Sequence, residues 1–158
     1  MSTQAQAATV RREIVVEAPA ERAFRVFTER LDEIKPRDHN LLGSDIEATV
    51  MEPRAGGRIY DRGADGSECE WATVLAFEPP ERFVFSWNIS TSWQFEPDAS
   101  RRSEVAISFL GEGPDRTRVV LEHRHLERHG EGWEGMREGV GGEGGWPLYL
   151  DRFAELMA

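Results

Sequence analysis

Apolar and polar positions alternate along most of the chain up to Arg124, and this period of two predicts β-strands. The first such segment covers residues 10–17. After it, apolar residues recur at helical spacing and predict an amphipathic helix over residues 19–34. Six more strands are predicted at residues 44–52 and 58–62 and around Trp71, Phe85, Ile107 and Leu121.

Each predicted strand has one apolar face and one polar face, which is typical of an antiparallel sheet that buries one side. We predict that the later strands direct these side chains inward: Cys69, Trp71, Thr73, Leu75, Phe77, Phe83, Phe85, Trp87, Ile89, Val105, Ile107, Phe109, Thr117, Val119, Leu121 and His123. The turns between strands predict an antiparallel meander after the first helix. We expect a single domain over residues 9–158, preceded by a disordered tail over residues 1–8.

The C-terminal segment is predicted to be helical but interrupted. Trp133 and Met136 can begin a short helix, whereas the glycines within residues 139–145 make a regular helix costly. Helical spacing resumes in an apolar stripe formed by Trp146, Tyr149, Leu150, Phe153 and Met157. We expect this stripe to pack into the concave face of the sheet. The glycines have two interpretations, a joint that gates a cavity or a close approach of helix and sheet.

Composition narrows the class of protein. The length of 158 residues is typical of one soluble domain, and a hydrophobic content of 39% is sufficient for a hydrophobic core. A net charge of −10 argues against nucleic acid and against anionic membranes as partners. The N-terminus lacks the features of a signal peptide, and no apolar run is long enough to span a bilayer. We therefore expect a cytoplasmic protein.

The histidines near the end of the last strand are the first candidates for chemistry. His123 and His125 have the spacing of a metal-binding pair, but no third ligand is in register, so we predict no metal and a polar rim. His123 continues the inward stripe, and it could donate a hydrogen bond into a cavity or act as a base. The favoured interpretation is a histidine without a function, either at the rim or in the core with satisfied hydrogen bonds.

The other candidates are weaker. Alternation from Ile59 points Asp61 inward, but Tyr60 competes for burial, and we predict a solvated Asp61. The single cysteine, Cys69, has no neighbouring base and is interpreted as an inert core thiol that cannot form an intrachain disulfide. Motifs for a serine nucleophile or a phosphate-binding loop are absent from the sequence. We therefore assign no catalytic residue and no cofactor.

Several segments resemble a known family. They are VEAPAERAF at 16–24, EPRAGGR at 52–58, DGSECEW at 65–71, FEPPER at 77–82, TRVVLEHR at 117–124 and GGWP at 144–147. Together with the order of elements, they resemble the bacterial AHSA1-like family (activator of Hsp90 ATPase homologue 1-like) of the START-like, or SRPBCC, superfamily. The resemblance covers residues 9–157. It implies an α+β helix-grip fold, in which a curved antiparallel sheet of six to seven strands wraps around a long C-terminal helix and leaves an internal cavity.

The resemblance also supplies the functional hypotheses. It implies non-enzymatic binding of a hydrophobic or aromatic small molecule by Trp71, Phe85, Trp87, Phe109, His123, Trp146 and Phe153. An enzyme of the polyketide cyclase/aromatase type and a chaperone or protein-interaction module remain open alternatives, and relatives often form homodimers. At residues 31–35, near the cavity mouth of such folds, relatives often carry a tryptophan pair that this chain lacks.

Overall fold

One antiparallel sheet of seven strands dominates residues 8–158, the part of the chain described by a computed structural model. The strands are β1 (Val10–Val16), β2 (Ile46–Met51), β3 (Arg58–Gly63), β4 (Glu68–Glu78), β5 (Arg82–Trp87), β6 (Ser103–Gly111) and β7 (Thr117–Arg124). Their spatial order is β1-β7-β6-β5-β4-β3-β2, so the predicted meander runs from β2 to β7 and β1 pairs with β7.

Four helices cover the concave face of the sheet within these residues: α1 (Ala20–Glu29), α2 (Leu31–Ile34), α3 (Trp133–Gly141) and α4 (Trp146–Met157). The single helix predicted over residues 19–34 is instead broken at Arg30, where the backbone leaves helical geometry (φ −115°, ψ 27°). Leu31 and Ile34 remain buried beyond the break. The apolar spacing therefore identified the buried positions correctly but not the change in backbone direction.

The inward stripe of β4 also differs from the prediction. A β-bulge shifts the register against β5 between Val74 and Ala76. Val74 lies opposite the inward Phe85 and is buried, Thr73 lies opposite Ser86, and Leu75, the extra residue of the bulge, is 45% exposed. The prediction that Thr73 and Leu75 point inward is therefore wrong. The predicted inward residues of β5, β6 and β7 are buried.

Aromatic packing fills one part of the space between sheet and helices. Phe27 of α1 lies with its ring centroid 5.1 Å from that of Phe153 and 5.9 Å from that of Phe109. Phe24 packs edge-on against Phe109 at 5.1 Å. These contacts join α1, α4 and β6 into a closed core.

The C-terminal helix consists of two pieces, as predicted. The regular helix α3 continues through Gly139 to Gly141, and the break lies at residues 142–145. A Cβ atom at Gly145 would lie 2.1 Å from the carbonyl oxygen of Val140, and one at Gly139 would lie 2.9 Å from the ring of Trp93. Close approach to the end of α3 and to Trp93 explains these two glycines. The close approach of helix and sheet occurs at Gly141, whose Cβ atom would lie 3.3 Å from Val10 of β1. That the break acts as a gate stays a prediction.

Ala8, the last residue of the predicted tail, is folded. Residues 1–7 of the predicted tail lie outside the described residues, but Ala8 is 1% exposed and its carbonyl accepts the N–H of Leu126 at 3.1 Å. Ala8 is therefore part of the folded core. Among the helices of residues 8–158, none has the length and apolar character needed to cross a bilayer.

Candidate functional site

A pocket of about 460 Å³ opens between β4, β5 and the start of α4. One wall is aromatic and consists of Trp71, Trp87, Trp93, Trp146 and Tyr149. The opposite end is polar and includes Lys35, Asp38, His39, Asn40 and Asp61. The polar residues come mainly from the loop between α2 and β2, so the pocket combines a rigid aromatic wall with a polar loop.

The aromatic wall is a continuous series of ring contacts. Ring centroids are 6.0 Å apart between Trp71 and Trp87, 5.3 Å between Trp87 and Trp146, and 5.0 Å between Trp146 and Tyr149, all edge-to-face. Trp93, in the connection between β5 and β6, has a left-handed backbone (φ 60°) and is 46% exposed. A bulky residue is strained in that conformation, which places an exposed aromatic ring at the edge of the pocket.

A buried ion pair lies at the polar end. The ammonium of Lys35, the only lysine of the chain, is 2.9 Å from Asp61 Oδ2 and also donates to the backbone carbonyl of His39. The hydroxyl of Thr49 donates to Asp61 Oδ1 at 2.7 Å. Burial lowers the pKa of Lys35, although the carboxylate of Asp61 acts in the opposite direction. We call Lys35, Asp61 and Thr49 the ion-pair cluster.

Asp61 is 2% exposed, so the prediction of a solvated carboxylate is wrong. The alternation from Ile59 did place it inward. What the pattern could not show is that Lys35, 26 positions earlier in the sequence, supplies the opposite charge that a buried carboxylate requires. The available signal in the sequence was that Lys35 is the sole lysine of the chain.

A histidine–tyrosine pair adjoins this cluster. His39 Nδ1 lies 2.9 Å from the hydroxyl oxygen of Tyr149. Burial raises the pKa of the Tyr149 phenol far above its usual range and lowers the pKa of His39. Both groups are therefore neutral near pH 7, and either can be the donor in the hydrogen bond between them. Neither role was predicted from the sequence, since His39 lies in a loop without a periodic pattern and Tyr149 was counted only as apolar.

A second set of buried polar groups lies behind Trp146. The indole N–H of Trp146 donates to His123 Nδ1 at 3.0 Å. Because an indole can only donate, His123 carries its proton on Nε2 and donates it to Ser103 Oγ at 2.6 Å. The Ser103 hydroxyl then donates to His129 Nε2 at 2.7 Å. Ser103, His123 and His129 are referred to below as the histidine chain.

The histidine chain is uncharged near pH 7. Burial lowers the pKa of His123 to about 3 and that of His129 to about 4. The chain therefore acts as a neutral support that fixes the orientation of Trp146. His125 does not share a face with His123, because its side chain is 44% exposed. Within residues 8–158, no three side chains of the metal-binding types are grouped closely enough to hold a metal ion.

The structure separates the predicted ligand-binding residues into two groups. Trp71, Trp87 and Trp146 line the pocket. The other four predicted residues do not line it: Phe85, Phe109 and Phe153 lie in the surrounding core, and His123 lies behind Trp146. Phe109 and Phe153 are buried because Phe27 of α1 packs against both and fills the space between β6 and α4. The thiol of Cys69 is partly buried, and burial raises its pKa.

A larger groove of about 800 Å³ lies between α1, β2 and the turn from β4 to β5. Phe24, Met51 and Phe77 contribute apolar surface there, and charged side chains such as Glu21 and Glu29 border it. The groove has neither the tryptophan wall nor the buried ion pair of the pocket. We therefore take the pocket as the candidate site.

Comparisons with known proteins agree with this architecture. The sequence model of a family described as activator of Hsp90 ATPase homolog 1-like protein matches residues 17–158. The solved structure of an anthrahydroquino-gamma-pyrone synthase, Txn09, is 37% identical, with 94% of this chain and 96% of that chain covered and a TM-score of 0.65. A search of curated proteins gave no match.

Two further solved structures show the same fold. The self-sacrificing resistance protein CalC from Micromonospora echinospora is 27% identical, covers 94% of this chain and 93% of its own, and has a TM-score of 0.68. A protein from Nitrosomonas europaea is 16% identical over 96% of this chain and 95% of its own, with a TM-score of 0.67. The predicted helix-grip fold is therefore confirmed.

Proposed function

Because this chain belongs to the AHSA1-like family, as its sequence motifs predicted, we propose that its pocket binds a planar aromatic small molecule of the polyketide type. One observation carries the proposal: four of the five tryptophans of the chain meet around a single pocket. Apolar walls with a few convergent polar groups are typical of small-molecule sites, and the volume lies within the usual range of about 300–1,000 Å³.

The arrangement of the walls suits flat, oxygen-bearing rings. Edge-to-face aromatic contacts form a wall that a planar ring system can cover, and each Å² of apolar surface removed from water contributes about 25 cal/mol. At the polar end, the Tyr149–His39 pair and the ion-pair cluster can accept or donate hydrogen bonds to phenol and keto oxygens. The name of the synthase neighbour describes a fused-ring aromatic compound, which supports the same ligand class by analogy.

The test uses 1,8-dihydroxyanthraquinone as the probe and isothermal titration calorimetry as the measurement. Gly144 borders the pocket, and a Cβ atom there meets nothing within 4 Å, so Gly144→Trp places a bulky side chain at the edge of the pocket without a clash at Cβ. Gly135 of α3 has equally open surroundings but does not border the pocket, so Gly135→Trp is the matched control.

We expect the wild-type protein and Gly135→Trp to bind the probe equally and Gly144→Trp to bind at least about tenfold more weakly. Absence of binding to the wild-type protein, or equal binding by Gly144→Trp, would overturn the proposal.

Catalysis is the second candidate function, and the Tyr149–His39 pair is the observation that favours it. Two neutral acid–base groups 2.9 Å apart beside an aromatic pocket can move a proton on and off an enolisable ligand. The similarity to a synthase at 37% identity points the same way.

Anthrone tests this candidate, because its ring CH₂ group exchanges hydrogen for deuterium through the enol. We expect the protein to accelerate exchange in D₂O under anaerobic conditions, and Tyr149→Phe and His39→Gln to remove the acceleration, as followed by NMR. An exchange rate equal to that of buffer alone would leave ligand binding as the function and exclude this catalysis.

A further inference from the structure

The tryptophans of the pocket wall differ in what their N–H groups contact. The N–H of Trp146 is committed to His123. The indole nitrogens of Trp71 and Trp87 are buried and have no hydrogen-bond partner in the described part of the chain. Both residues line the pocket, and their ring centroids are 6.0 Å apart. Two adjacent pocket residues thus hold donors that the protein itself does not use.

Unused donors of this kind are costly. A buried donor without an acceptor costs about 1–3 kcal/mol, and most buried polar groups in proteins are paired. Phenylalanine at either position would keep an aromatic ring in the wall without the N–H group. The fold therefore does not require these N–H groups, whereas a ligand that carries an acceptor would make use of them.

The indole rings of both residues are in contact with the protein. Lys35 Nζ lies 5.5 Å from the ring centroid of Trp71, and Phe85 packs against Trp71 edge-to-face at 5.9 Å. Trp87 is in edge-to-face contact with Trp146. Both indole nitrogens are shielded from solvent, so each ring must turn for its N–H to reach an acceptor in the pocket. That turn breaks no hydrogen bond, because neither N–H has a partner within residues 8–158.

We infer that Trp71 and Trp87 donate hydrogen bonds to a ring carbonyl of the ligand, so that the pocket prefers aromatic ketones and quinones to hydrocarbons of the same outline. The inference rests on the proposed function and names the ligand class of that same pocket. The acceptor must be an oxygen or nitrogen of the ligand, because indole N–H groups only donate. A neutral carbonyl fits better than a carboxylate, since it adds no negative charge beside the buried Asp61.

A pair of flat tricyclic probes tests the carbonyl directly. 9-Fluorenone and fluorene have nearly the same outline and differ by one carbonyl group. Fluorenone is the less hydrophobic of the two, so apolar burial alone would favour fluorene. Equilibrium dialysis measures both dissociation constants. We expect the wild-type protein to bind fluorenone at least about tenfold more tightly, since one hydrogen bond is worth about that factor.

Trp→Phe variants identify the donors. Trp71→Phe and Trp87→Phe each should reduce the preference for fluorenone several-fold and leave fluorene binding nearly unchanged. Trp133→Phe, at the one tryptophan outside the pocket wall, is the matched control and should keep the wild-type preference. If Trp71→Phe fails to fold, Trp87→Phe decides alone, because each N–H contributes separately.

The outcomes separate this inference from the proposed function. Equal binding of fluorenone and fluorene would overturn the inference and leave aromatic binding intact. A fluorenone preference that survives in the Phe variants would also overturn it, because the donors would then lie elsewhere. Binding of neither probe would overturn both the inference and the proposed function.

Discussion

The ion-pair cluster and the histidine chain are both buried and polar, but they differ in charge and in their position relative to the pocket. Lys35 and Asp61 carry opposite charges and face the pocket. Ser103, His123 and His129 are neutral near pH 7 and lie behind the aromatic wall. The comparison indicates a division of roles. The ion-pair cluster places charge where a ligand would contact it, and the neutral hydrogen bonds of the histidine chain hold the aromatic wall in place.

Removing one charge of the ion-pair cluster should have the largest effect. Lys35→Met leaves the carboxylate of Asp61 buried without a counter-ion, and we expect a loss of about 3–5 kcal/mol in the free energy of unfolding. Urea denaturation followed by circular dichroism measures this loss. The double variant Lys35→Met/Asp61→Leu should recover most of it, because no lone charge remains. A Lys35→Met protein as stable as the wild type would show that the pair is unimportant for folding.

Lowering the pH should destabilise the folded protein through the histidine chain. The pKa values of His123 and His129 are lowered to about 3 and about 4 by burial, so below pH 6.5 the unfolded state binds protons that the folded state does not. The contribution of the two histidines to the free energy of unfolding is therefore fully present above about pH 7. It decreases as the pH is lowered, by roughly 2 kcal/mol for each histidine between pH 7 and pH 5.

The variant His129→Gln tests this effect, because glutamine can still accept from Ser103 but does not titrate. Its free energy of unfolding should fall less steeply between pH 7 and pH 5 than that of the wild type. His125→Gln, at the exposed histidine, should keep the wild-type slope. Identical slopes in all three proteins would contradict the account.

Interrupting the histidine chain at its centre should have a smaller effect. Ser103→Ala leaves His123 Nε2 and His129 Nε2 without their shared partner, and we expect a loss of about 1–3 kcal/mol. Ser92→Ala, at an exposed serine, is the control for the substitution itself. If Ser103→Ala matches Ser92→Ala in urea denaturation, the chain does not support the wall.

We expect the smallest loss of stability at the Tyr149–His39 pair of the polar end. Tyr149→Phe removes the hydrogen bond to His39 but keeps the ring in the aromatic wall. We expect a loss of about 0.5–1.5 kcal/mol in thermal unfolding measurements, and the protein should remain folded. A loss as large as that of Lys35→Met would mean that buried charge does not set the ion-pair cluster apart from neutral hydrogen bonds.

Periodic patterns identified the fold but not the polar end of the pocket. Alternation located the strands because the sheet buries one face, and helical spacing located the apolar stripe of α4. The bulge beside Val74 and the break at Arg30 escaped prediction because both are local departures from a period.

The polar end was not predicted because the residues that pair there are distant from one another in the sequence. Lys35 meets Asp61, and His39 meets Tyr149 across 110 positions, from a loop that has no period at all. The three tryptophans that were both predicted and found on the pocket wall lie on regular elements. That they bind a ligand stays a prediction, as do a cytoplasmic location, a homodimer and a protein-interaction role.

The most direct measurement of the central claim is a ¹H–¹⁵N NMR titration of the indole N–H signals with 1,8-dihydroxyanthraquinone. The five tryptophans give separate signals, which single Trp→Phe variants assign. We predict that the signals of Trp71, Trp87, Trp93 and Trp146 shift together with one dissociation constant, and that the signal of Trp133 stays in place. Shifts confined to Trp133, or no shifts at saturating probe, would contradict the claim that this pocket binds planar aromatic molecules.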